Sequence, residues 1–124
     1  METDSGQRIV LIVDDQRDIR DLFSEILTAA GFTTVTALNG QQALEIVRNR
    51  RIDLVICDLV MPEKEGLETI QELCQTHPAL KVIAISGAFG GSFLKAAQLL
   101  GASAALLKPV SPDELVRTVN GVFG

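Results

Sequence analysis

Five short apolar runs punctuate this chain, and between them the spacing of apolar residues changes to that of helices. Residues 8–13 read Arg-Ile-Val-Leu-Ile-Val, and 53–57 and 81–85 are similar. Runs that are apolar at nearly every position and rich in β-branched residues suit strands buried on both faces, as in a parallel sheet. Residues 33–37 and 104–107 are weaker runs that their spacing places as strands. Ile19, Leu22, Ile26 and Ala30 follow i, i+3, i+7, i+11 before Gly31, which predicts a helix with those residues on its core face. Leu67, Ile70, Cys74 and His77 share a face of another helix, stopped by Pro78. Asn39 is a candidate cap with Gln42 three residues on, and Ser111-Pro-Asp-Glu114 is a capping box with Pro at the first helical position.

Strand and helix alternate five times, which predicts an α/β doubly wound (βα)5 domain: a five-stranded parallel sheet with helices on both faces. The 124 residues suffice for one such domain, and a chain of this length buries roughly two-thirds of its unfolded surface without disulfide or metal staples. The division expected is a tail over 1–7 and one domain over 8–124. Cys57 and Cys74 form neither a CxxC motif nor a disulfide framework and are expected to pack in the interior. A net charge of −5 argues against direct nucleic-acid binding. No apolar run approaches the ~20 residues of a membrane span, and residues 1–6 are too polar for a signal peptide. No membrane association and a cytoplasmic location are expected.

In open α/β folds the functional crevice lies at the carboxyl ends of the strands. The first strand ends in Asp14-Asp15, the third in Asp58, the fourth in Ser86 and the fifth in Lys108-Pro109. The fold should gather these into one shallow pocket. Three carboxylates close together repel and raise one another's pKa unless a cation shares them. Oxygen ligands without His or thiolate favour a hard ion such as Mg²⁺. An ammonium and a hydroxyl nearby suit the oxygens of a phosphoryl group. Phosphoryl transfer onto a carboxylate is the chemistry suggested.

Asp14-Asp15, Asp58, Met61-Pro62, Gly66, Ser86, Gly101-Ala102 and Lys108-Pro109, in this order, resemble the receiver (CheY-like) domain of bacterial two-component response regulators. The resemblance runs from Arg8 to Phe123. It implies that Asp58 is the phosphoacceptor, taking a phosphoryl group from the phosphohistidine of a sensor histidine kinase or phosphotransfer protein. It implies Mg²⁺ (or Mn²⁺) held by Asp14, Asp15, Asp58 and the backbone carbonyl of Val60. Ser86 matches the hydroxyl that turns toward the phosphoryl group, Lys108 matches the lysine that pairs with it, and the Lys108-Pro109 bond is expected to be cis. Catalysis is confined to the domain's own phosphorylation and dephosphorylation, so it is not an enzyme in the metabolic sense. The fourth helix, fifth strand and fifth helix are implied as a homodimer or output-partner surface, and both helices carry more apolar residues than one core stripe needs.

Two departures from the family pattern stand out. Ala105 occupies the position of the usual switching aromatic, which points instead to the Gly-rich loop 86–92 and its Phe89. Val60 and Ala88, two residues beyond Asp58 and Ser86, cannot orient an attacking water, so a persistent acyl phosphate is expected. His77 reads as a turn residue, and Arg48, Arg50 and Arg51 as complements to a helix carbonyl end. A phosphatase of haloacid dehalogenase type fits less well, because the chain has Asp14-Asp15 rather than Asp-x-Asp and no room for a cap. A receiver that folds without being phosphorylated is the other alternative. No GxGxxG or GxxxxGK[ST] motif supports a nucleotide-binding module.

Overall fold

In the computed structural model, which describes residues 7–59, 63–87 and 91–124, strands and helices alternate as the sequence predicts. They are β1 (Ile9–Val13), α1 (Arg17–Ala29), β2 (Thr33–Ala37), α2 (Gly40–Asn49), β3 (Leu54–Asp58), α3 (Glu63–Thr76), β4 (Lys81–Ser86), α4 (Gly91–Leu99), β5 (Ala104–Leu107) and α5 (Pro112–Phe123). All strand pairs are parallel, in the order β2-β1-β3-β4-β5. The three strongest apolar runs are the three central strands. The two weaker runs are the edges, where one side has no neighbour and part of the strand surface meets water.

Alternation along each strand sends side chains to two cores. Val10, Ile12, Leu54, Ile56, Ile83 and Ile85 pack with Phe23 and Leu27 of α1 and with Leu115 and Val119 of α5. Leu11, Val13, Val55, Cys57, Val82 and Ala84 pack with α2, α3 and α4 on the other face. The face expected for α1 is corrected here. Phe23 and Leu27 are its buried residues, Ile19 and Ile26 are half-buried, and Leu22 and Ala30 are exposed. Apolar residues occupy both flanks of this helix, so spacing alone did not settle which flank meets the sheet. In α3, Leu73 is fully buried beside Ile70, with Leu67 and Cys74 packed at the margin.

The helix ends follow local chemistry. Asn39 Oδ1 accepts from Gln42 N, and Gln42 Oε1 accepts from Leu38 N, one residue before the cap. Ser111 Oγ accepts from Glu114 N behind Pro112. At the end of α1, Gly31 has φ +100°, Phe32 N donates to Leu27 O and Gly31 N to Thr28 O. Gly101 (φ +119°) repeats this closure after α4, with Ala102 N donating to Ala97 O. Both positions need a left-handed conformation that glycine adopts without strain.

Candidate phosphoacceptor site

Strand order reverses between β1 and β3, and the crevice at their carboxyl ends is the point where such sheets bind ligands. Asp14 follows β1, Asp58 ends β3, Ser86 ends β4 and Lys108 follows β5. All are buried or nearly so: Asp14, Asp58 and Ser86 almost completely, Lys108 partly. The Lys108 Nζ lies 2.6 Å from Asp58 Oδ2 and 3.7 Å from Asp14 Oδ2. One ammonium therefore faces two carboxylates from neighbouring strands.

Backbone contacts hold each group in place. Lys108 N donates to Ser86 O, and Leu59 N donates to Ile85 O. The Lys108-Pro109 bond is cis, as expected. Asp14 Oδ1 accepts from Gln16 N at 2.8 Å, and its backbone carbonyl accepts from Arg20 Nη1 at 2.8 Å. Asp14 Oδ2 is buried and has no hydrogen-bond donor among the described residues. Burial, above all, pushes the Asp14 carboxyl up to about 7, and the adjoining Asp58 carboxyl adds to the rise; Gln16 N–H and Lys108 oppose it.

Asp15 is exposed beside this pair. Among the described residues no trio of His, Cys, Asp or Glu converges closely enough to hold a metal ion. The expected trio is thus met as two converging carboxylates, Asp14 and Asp58, with Asp15 at the margin, because the first of the paired aspartates turns inward and the second outward. The residues nevertheless suit a hard cation: two adjoining carboxylates share the single Lys108 ammonium, and the buried Asp14 Oδ2 accepts no hydrogen bond from the described residues. Val60, Ala88 and Phe89 lie outside the described residues.

Two contributors carried no signal in the sequence for the roles they have here, although Gly87 falls in the Gly-rich loop singled out there. Arg20 looks like an ordinary solvent-facing residue of α1, yet it anchors the Asp14 carbonyl. At Gly87 an added Cβ would stand 3.1 Å from Lys108 Cβ, so the glycine makes room for the lysine stem. Gly66, singled out in sequence, has a comparable role: its missing Cβ would meet Leu59 Cα at 3.0 Å, which lets α3 approach the chain just after Asp58. Cys57 is buried and Cys74 half-buried, and neither forms a disulfide. His77 Nδ1 pairs with Thr76 Oγ1 at the end of α3, consistent with a turn role. Only Arg48 of the three arginines sits in the last turn of α2; Arg50 and Arg51 extend beyond it, where Arg51 binds Asp53 and the Gln7 carbonyl. Gln7 also accepts from Thr33 Oγ1.

The model of the response regulator receiver domain family matches residues 10–120. The chain belongs to that family. It is 37% identical over 115 residues to the transcriptional regulatory protein CpxR of Escherichia coli, covering 92% of this chain and 48% of that protein. It therefore spans about half the length of that relative. The chemotaxis protein CheY of Thermotoga maritima is 34% identical and is matched over 98% of its length and 94% of this chain. Among solved structures, the receiver domain of NtrX from Brucella abortus superposes with a TM-score of 0.86 at 33% identity, covering 91% of this chain and 96% of that one. A CheY-like receiver from Methanospirillum hungatei JF-1 gives 0.87 at 27% identity, covering 94% and 93%. The receiver is a domain of two-component signalling systems, and the phosphatase alternative finds no support in these likenesses. No helix among the described residues is long and apolar enough to cross a membrane.

Proposed function

We propose that this receiver accepts a phosphoryl group on Asp58 from the phosphohistidine of a sensor histidine kinase or phosphotransfer protein, in the cytoplasm. The observation that carries the reading is the Lys108 ammonium held 2.6 Å from Asp58 Oδ2 and 3.7 Å from Asp14 Oδ2. A carboxylate on a fixed strand end keeps its attacking oxygen in place, and Lys108 is close enough to pair with an incoming phosphoryl oxygen. Ser86, on the adjacent strand end, supplies the hydroxyl that meets a second oxygen. Mg²⁺ (or Mn²⁺) would be held by Asp14 and Asp58, with Asp15 and the Val60 carbonyl, and would supply positive charge against the phosphoryl oxygens. The orphaned Asp14 Oδ2 supports this assignment. Catalysis extends only to the domain's own phosphorylation and hydrolysis.

Two apolar surfaces suit partners. A hollow of about 360 Å³ lined by Ile19, Leu22, Phe23, Pro109 and Val110 adjoins Lys108, and Leu22 is 48% exposed there. It suits docking of the phosphoryl donor, because it borders the reacting groups. On the α4–β5 side, Leu99 is 84% and Leu107 49% exposed, which supports a homodimer or output contact through α4, β5 and α5. Incubation with acetyl phosphate and Mg²⁺ followed by intact-mass measurement tests the phosphoacceptor. One added phosphoryl group, absent in Asp58→Asn, is expected. No gain in mass, or the same gain in Asp58→Asn, contradicts the assignment and favours a receiver that is not phosphorylated.

A further inference from the structure

The end of the molecule opposite Asp58 carries a cavity of about 520 Å³ beneath the N-terminal ends of β1, β3 and β4. That volume lies within the roughly 300–1,000 Å³ of small-molecule sites. Its polar wall is cationic, with Arg8 before β1, Arg50 and Arg51 after α2, and Lys81 opening β4. Four of the chain's eleven Lys and Arg residues thus gather here, against a net charge of −5. Asp53 is the one carboxylate on this lining, and its Oδ2 already accepts from Ile9 N at 2.7 Å and Arg51 Nη2 at 3.2 Å. Among the described residues Arg50 and Lys81 have no carboxylate partner.

Apart from His77, the rest of the wall is apolar, with Val47, Ile52, Leu80 and Phe123 its larger side chains. The Phe123 ring is fixed from two sides. Phe32 stacks on it at 6.0 Å between centroids, and the Arg8 guanidinium stands 4.4 Å from its centroid. Leu54 of β3 pairs with Lys81 of β4, and Asp53 N donates to Ile9 O of β1. β3 stands between β1 and β4, so the cavity lies against the amino ends of three adjacent strands.

We propose that this cavity binds a small phosphorylated molecule of the nucleotide class. Its phosphate lies on Arg50, Arg51 and Lys81, and its ring system on the apolar wall. Guanidinium groups match phosphate oxygens with paired N–H donors, which suits a phosphate better than a dispersed anion. The site is independent of the acidic pocket and of any phosphoryl transfer there.

Titration of isotope-labelled protein with AMP, and separately with inorganic phosphate and a short polyglutamate peptide, tests this by backbone amide shifts. EDTA keeps metal from the acidic pocket. Saturable shifts over 50–53 and 77–81 are expected, with AMP bound about tenfold more tightly than inorganic phosphate. The variant carrying Arg50→Ala and Lys81→Ala loses about tenfold in AMP affinity and keeps the wild-type extent of phosphorylation by acetyl phosphate. Absence of saturation, shifts centred on Lys108, affinity indifferent to the two substitutions, or tighter binding of the peptide than of AMP overturns the proposal.

Discussion

The Lys108 ammonium faces Asp58 Oδ2 at 2.6 Å and Asp14 Oδ2 at 3.7 Å, so one cation serves two carboxylates. The Asp14 carboxyl, pushed up to about 7 mainly by burial, holds its proton in the folded metal-free protein below that pH. The unfolded chain releases it near 3.8, so stability falls as pH rises from there through about 7. Metal-free protein is accordingly expected to lose about 5 °C in Tm between about pH 5 and about pH 8, and Mg²⁺ to restore it at the higher pH. Scanning calorimetry with EDTA or Mg²⁺ checks this; a metal-free Tm that rises over that range contradicts it. Lys108→Ala removes an influence that lowers the Asp14 pKa, so carboxyl titration by NMR should place Asp14 higher still. Gly87→Ala puts a methyl 3.1 Å from Lys108 Cβ. It should slow labelling by acetyl phosphate several-fold while costing only about 1–3 kcal/mol in denaturant unfolding. Unchanged labelling would mean that the lysine stem does not depend on that space.

The elements themselves were largely legible. Three runs of β-branched residues suited strands buried on both faces, and the ends of these and of the weaker fifth run place Asp14, Asp58, Ser86 and Lys108 together. The stop of α1 at Gly31 was equally plain, whereas Gly101 was noted only as a motif residue and its closure of α4 emerges from the structure. The face of α1 was less so: Leu22 and Phe23 are neighbours in sequence, and only the packed sheet selects Phe23. Arg20 and Gly87 were illegible because their roles lie in contacts with the Asp14 carbonyl and the Lys108 stem, which exist only once four strand ends meet. The same distinction separates the two helix-closing glycines. Gly31→Ala should cost about 1–2 kcal/mol from its positive φ alone, because no atom of the described residues lies within 4 Å of the added Cβ. Gly101→Ala should cost more, since Cys74 Sγ would lie 2.9 Å from the new methyl. Denaturant unfolding of both variants checks the order. Introducing Cys74→Ala should recover part of the second loss.

At the scale of the molecule, the parallel sheet separates two poles. The carboxyl ends of the strands gather the acids and Lys108, and the amino ends gather Arg8, Arg50, Arg51 and Lys81. Between them, Leu99 and Leu107 leave apolar surface on the α4–β5 side. If that surface is the output contact, sedimentation velocity with an aspartyl-phosphate mimic should show concentration-dependent association that Leu99→Glu and Leu107→Glu together abolish. Association unaffected by them would move the contact elsewhere. The central claim rests on one carboxylate. Borohydride reduction of protein treated with acetyl phosphate and Mg²⁺ converts an acyl phosphate to an alcohol, and peptide mass spectrometry then locates it. Homoserine at position 58 is the predicted result; homoserine at position 14 or 15, or none at all, would contradict it.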